Sequence, residues 1–229
     1  MSKQKEIHKE DSFENVENAL SRSEQFIEDN QNRLMMGFLV VVVLVAGYWG
    51  TKKFYFQPLE KNAQEQVFYA QQYFEKDSFN LALNGDGMNL GFVDIIDEFG
   101  STNIGELSKY YAGICQLQLG NFQEAADYLS SFSTSEEMIA ATAAGALGDA
   151  YSELGQNDDA ISQYKEATSY DNELTAPVYL MKLGMMHEAA GNHEAAVKAY
   201  STIKEQYQNS TEARQIDKYL TRAKLQLNK

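Results

Sequence analysis

The chain has 229 residues, of which 44% are hydrophobic, a formal net charge of −14 and a single cysteine. Its length suits one domain with appendages, and its composition is that of a chain able to build a core. No basic run is longer than Lys52-Lys53, which excludes the concentrated cationic surface that nucleic acid requires, and the lone Cys115 excludes a disulfide framework.

In chain order, residues 1–33 form an acidic tail. Phe13, Val16, Leu20 and Ile27 fall near one helical face with Glu14, Glu17, Glu24 and Glu28 elsewhere, so a partly helical tail is expected, its stripe too thin to define a partner. Residues 34–51, LMMGFLVVVVLVAGYWGT, carry no charge. At about 1.5 Å per residue they reach about 27 Å, close to the roughly 30 Å of a bilayer's hydrocarbon core, and they predict one transmembrane helix. A buried core helix would keep a polar edge, and Val40 to Val43 has none. Tyr48, Trp49, Phe54, Tyr55 and Phe56 cluster at one end, where amphipathic rings prefer the headgroup layer. The apolar run starts too far from the N-terminus for a cleaved signal peptide, so it reads as an anchor. Arg22 and Arg33 precede it and Lys52, Lys53 and Lys61 follow, so the charge count leans weakly toward a cytosolic far side without settling the orientation.

Residues 52–229 read as helices throughout, rich in Ala, Leu, Glu, Gln and Lys and cut by single glycines. Pro58 suits a helix start, where its missing N–H is unpaired anyway. A degenerate first hairpin is expected over residues 60–100, its second helix interrupted by NGDGMNLG (84–91) before FVDIIDEFG resumes it. A fixed period then emerges. Gly120, Gly155 and Gly191 stand 35 and 36 residues apart, and so do Gly113, Gly148 and Gly184, Ala125, Ala160 and Ala196, and Leu129, Tyr164 and Tyr200. The first ladder marks turns needing a left-handed residue, and the second and third mark places where paired helices approach closely. Asn103 with Glu106, Asn121 with Glu124, and Thr134 with Glu137 fit the capping-box pattern. The units run over 106–135, 141–174 and 177–209, and an amphipathic helix over 210–227 is expected to cap the stack.

These four ladders resemble the tetratricopeptide repeat, a helix-turn-helix unit. The resemblance implies an all-α solenoid whose first helices line a concave groove. Carried over position by position, it places Leu107, Tyr110, Ile114, Leu117 and Gln118 there from one unit. Thr142, Gly145, Asp149, Ser152 and Glu153 follow from the next, and Val178, Met181, Met185, Glu188 and Ala189 from the last. Apolar, Met-containing walls suit varied apolar segments of a protein partner. The alternative is that the irregular first unit or the capping helix covers them.

No catalytic, cofactor or metal constellation is legible. His187 and His193 are six apart with Gly191 between, whereas helical zinc pairs stand at i, i+4, so both read as packing rings. Counted from Asp86, the loop 84–91 puts Met88 and Leu90 where calcium would need oxygen ligands. Cys115 lies within a helix and reads as a buried, inert thiol. The chain reads as an interaction protein rather than an enzyme.

An acidic tail, one spanning helix and a short capped repeat domain together resemble the YfgM-type family of bacterial inner-membrane proteins. That resemblance implies a cytoplasmic N-terminus, a periplasmic repeat domain, and an ancillary role at the Sec translocon beside a membrane-anchored chaperone, on emerging polypeptides. Two other readings stay open: a scaffold for envelope or cell-division complexes without client binding, and an adaptor facing the cytosol.

Overall fold

The computed structural model describes the backbone of residues 3–170 and 172–227 and the side chains of residues 26–170 and 172–227. Among these residues every regular element is helical, and the chain divides after Pro58 into two units.

The first unit consists mainly of α1 (Lys3–Thr51), followed by a π-helical turn over Lys52–Phe56. Tail and apolar stretch form one helix rather than two segments because no Gly or Pro interrupts residues 3–36. The expected stripe of Phe13, Val16 and Leu20 lies outside the described side chains. The π turn has a local cause. Pro58 lacks an N–H and its ring crowds the carbonyl four residues back, so the ladder widens and Gln57 N–H reaches the Lys52 carbonyl instead. One helical run among the described residues is long and apolar enough to cross a membrane. Its most apolar window has a mean hydropathy of 2.0 and none of it is buried. Phe38, Val40, Leu44 and Trp49 are all exposed.

The second unit stacks α2 (Gln57–Glu75), α3 (Phe79–Asn84), α4 (Phe92–Phe99), α5 (Asn103–Leu119), α6 (Phe122–Ser131), α7 (Glu137–Glu153), α8 (Asn157–Thr168), α9 (Ala176–Ala189), α10 (His193–Gln206), a 3₁₀ turn (Glu212–Gln215) and α11 (Ile216–Leu227). Hairpins α5–α6, α7–α8 and α9–α10 are the three regular units. Their first helices start at Asn103, Glu137 and Ala176, against expected unit starts at 106, 141 and 177. Ile216, Leu220 and Ala223 of α11 are buried in the same cluster as Tyr200 and Ile203 of α10.

Small residues make the hairpins possible. A Cβ on Gly113 would fall 2.5 Å from Leu129 Cγ, one on Gly148 2.8 Å from the Tyr164 ring, and one on Gly184 2.3 Å from the Tyr200 ring. The second ladder thus receives the fourth, sixteen residues later each time, while Ala125, Ala160 and Ala196 are fully buried at the same crossings. Between the helices Gly120, Gly155 and Gly191 have φ of 83°, 73° and 74°. That geometry lets Asn121, Gln156 and Asn192 donate N–H to the carbonyls of Gln116, Tyr151 and His187 at 2.9, 2.8 and 2.8 Å, closing each helix end.

The degenerate first hairpin has its own core. Val67 of α2, Leu83 of α3, Phe92 and Ile95 of α4 and Cys115 of α5 share one buried cluster, and the Tyr111 ring lies 5.0 Å from both Phe74 and Phe92. Between α3 and α4 the loop closes on Asp86. Its carboxylate accepts the Met88 and Asn89 N–H groups at 2.8 and 2.7 Å, the Asn89 amide at 2.9 Å and the Tyr73 hydroxyl at 2.7 Å. Led by the Tyr73 hydroxyl, these donors hold Asp86 well below the usual carboxylate range.

The three expected capping boxes are absent, because other donors and acceptors reach those helix ends first. α5 begins one residue early, where Thr102 Oγ1 accepts Gly105 N–H and Glu60 accepts Asn103 N–H at 2.8 Å, which frees Glu106 for other partners. The Asn121 amide turns back to Gln116 at 2.8 Å. Thr134 accepts the N–H of Glu136, the actual N-cap of α7. A side-chain cap bond forms instead at Asn192, which accepts Ala195 N–H at 3.4 Å.

Gly155→Ala should isolate the conformational demand, since nothing crowds a Cβ there and only the positive φ opposes it. We expect a loss of about 1–2 kcal/mol, seen as a lower urea midpoint at an unchanged slope.

Candidate functional site

The face formed by the first helices α5, α7 and α9 differs in three ways from an open apolar groove. In α5, Tyr110, Ile114 and Leu117 are half-buried because they pack on the Ala146, Leu147 and Ala150 cluster of the next unit. Leu107 alone of that set opens onto a cleft of about 770 Å³, lined also by Glu106, Phe132, Ser133, Glu136 and Ile139. The Tyr110 ring stands 5.7 Å from Phe132 at its edge.

In α7 Asp149 is paired across the units. Asp149 accepts Lys182 Nζ of α9 at 2.6 Å on both oxygens and the Tyr164 hydroxyl at 2.7 Å. Gly145 is a slot rather than an open position, because the Tyr179 ring lies where its Cβ would be. Lys182 Nζ stands 5.9 Å from the centroids of both Tyr164 and Tyr179, close enough for attraction to their π faces. Burial, then the nearby Asp149 charge, push the Tyr179 phenol up to about 12.

In α9 the expectation of an exposed Met181 is corrected. It is 7% exposed and buried with Ala196, Tyr200 and Leu220, because α11 packs where a following unit would begin. Glu188 is likewise engaged: Arg222 of α11 donates to both of its oxygens, with Nε at 2.9 Å, and the Tyr200 hydroxyl donates at 2.8 Å. Val178 is half-buried on a second cleft of about 420 Å³ with Leu174, Pro177 and Tyr207. Met185 is 38% exposed and remains open.

The ties between units form a pattern that the residue-by-residue mapping missed. Each ladder tyrosine fills a glycine slot, gives its hydroxyl to an acid on the first helix, and that acid takes a cation from the helix one repeat later. Asp149 and Lys182 are 33 apart, Glu188 and Arg222 are 34 apart, and the Ser152 hydroxyl meets Met186 sulfur at the same spacing of 34. Opposite charges separated by one repeat were the available signal. A fourth tie also escaped notice: Glu106 accepts Lys109 Nζ at 2.6 Å and Ser133 N–H at 2.8 Å, pinning the α6–α7 loop to α5.

Among the described residues no group of three His, Cys, Asp or Glu side chains could hold a metal ion. His187 and His193 each bury Nδ1 without a partner, and burial, then Lys165, lowers the affinity of His187 for a proton. Burial alone pushes the Cys115 thiol up to about 12, far from a nucleophile.

Residues 108–135 and 146–211 match models of the tetratricopeptide repeat. No curated protein matches the chain. Among solved structures, two crystal structures of MamA are each 17% identical. One has a TM-score of 0.51, covering 69% of this chain and 94% of MamA, and the other has 0.53, covering 72% and 92%. A Podosopora anserina putative kinesin light chain with nearly identical TPR-like repeats is 15% identical with a TM-score of 0.56, covering 73% and 87%. At these identities the likeness is one of fold alone: an all-helical repeat solenoid.

Glu106→Ala should loosen the α6–α7 loop. Burial raises the Glu106 carboxyl, but Lys109 and Ser133 outweigh it and hold it below the ordinary range near 4.3. The stabilisation is therefore complete above that range and disappears as pH falls through the lowered value. Urea titrations should show the variant about 1–2 kcal/mol less stable at neutral pH, with the gap closing in acid.

Proposed function

We propose that this protein is a membrane-tethered repeat domain that docks partner polypeptides on its α5–α7–α9 face, working beside a bacterial translocon or in a periplasmic chaperone network. The observation that carries the tether is the uncharged run 34–51, exposed on every side. Each large apolar side chain left in water forgoes about 1.5–3 kcal/mol, which favours a hydrocarbon environment for a helix apolar all round. The observation that supports docking is the stack of helical pairs, which leaves Leu107, Tyr110 and Met185 reachable. Tethering raises the effective concentration of the domain near its site, so a modest contact suffices. The topology, with the N-terminus in the cytoplasm and the repeats in the periplasm, rests on the architectural resemblance.

A second reading, a fixed scaffold in an envelope assembly, draws on the corrected face. With Met181 buried and Asp149 and Glu188 tied between units, the open surface is smaller and more rigid than a face adapting to varied clients would be.

Photo-crosslinking probes at Tyr110 and Met185, with Lys198 of α10 as the comparison, test both in intact membranes. Heterogeneous translocating chains captured at the first two positions support the translocon reading, and one fixed partner there supports the scaffold. Equal capture at all three positions, or full release of the protein by alkaline extraction, contradicts the proposal.

A further inference from the structure

The repeat domain is electrically lopsided. Residues 59–180 carry 20 acidic against 4 basic side chains, whereas residues 212–227, the 3₁₀ turn and α11, carry 2 against 4. The acidic part holds the cleft of about 770 Å³, lined by the apolar Leu107, Phe132 and Ile139 together with Glu136. Glu137 follows it at the start of α7, and neither carboxylate has an ion-pair partner among the described residues. Glu106 holds the wall opposite through Ser133, so the cleft is formed in advance.

The basic end offers the matching surface. α11 buries Ile216, Leu220 and Ala223 and turns its other face outward. Lys218 and Leu225 stand there at i and i+7, the spacing of a single helical stripe, with Arg222 between them already paired to Glu188. Leu225 is 61% exposed, an apolar side chain on an otherwise polar outward face. Lys218 has no carboxylate partner among the described residues and leans over Tyr219, 5.9 Å from its centroid.

We propose that the chain associates with a second copy of itself, the Lys218–Leu225 stripe of α11 in one copy seating in the Leu107–Phe132–Ile139 cleft of the other beside Glu136 and Glu137. A helix presenting apolar anchors to a groove is a common docking mode, and charge complementarity here sets which faces meet. Two copies that exchange this contact reciprocally about a two-fold axis bury both stripes and both clefts and form a closed dimer. It leaves Met185 open to another partner.

Sedimentation of the full chain in detergent over a range of concentrations tests this independently of partner capture. We expect reversible self-association that weakens with added salt. Lys218→Glu should weaken it about tenfold, as should Glu136→Lys with Glu137→Lys, and joining the three changes in one chain should restore it. Leu225→Asp, at an exposed site, should weaken it without loss of helical circular dichroism. A single chain per micelle at every concentration overturns the proposal, as does association indifferent to both charge reversals or not restored by their combination.

Discussion

Everything in the repeat domain depends on two helices approaching closely enough for the second to place a side chain where a Cβ of the first would be. Gly113, Gly148 and Gly184 provide the space, and Leu129, Tyr164 and Tyr200 fill it. The contact sets the crossing within each hairpin. It also brings the Tyr164 and Tyr200 hydroxyls to Asp149 and Glu188, acids that then hold a cation of the next helix in the stack. Close packing within a unit and registration between units are therefore consequences of one steric fact.

The same fact shapes the outer face. Acids that would otherwise be free to greet a partner are engaged in holding the stack together, and α11 extends the pattern by supplying Arg222 as a following repeat would. The apolar surface left open on this face is narrower than family positions imply: an edge cleft at Leu107, the Tyr110–Phe132 rings and Met185. A domain with a strongly acidic body and a basic final helix also has a polarity along its own length, which bears on how copies meet.

Much of the fold was legible because it is written more than once. Four ladders at 35 and 36 residues located the turns and crossings, and NGDGMNLG marked the break between α3 and α4 from its glycines. The helix caps were not legible, since Asn and Thr have several backbone and side-chain partners within reach: Asn121 turned to Gln116, and Thr102 capped α5 in place of Asn103. Exposure on the groove face stood open between bare and covered side chains for a different reason. Family positions assume an ordinary following unit, whereas α11 and the inter-unit ties cover Met181 and Glu188. Nothing in the spacing of Tyr179 showed that it would occupy the slot at Gly145.

The central claim is tested most directly by placing Gly148→Ala in two backgrounds. In the native chain the added methyl meets the Tyr164 ring, and stability should fall by about 1–3 kcal/mol. In a Tyr164→Ala chain the obstruction is gone, and the better helix propensity of alanine should make the same change neutral or favourable by up to about 1 kcal/mol. An equal loss in both backgrounds would show that the glycine is not there to admit the ring.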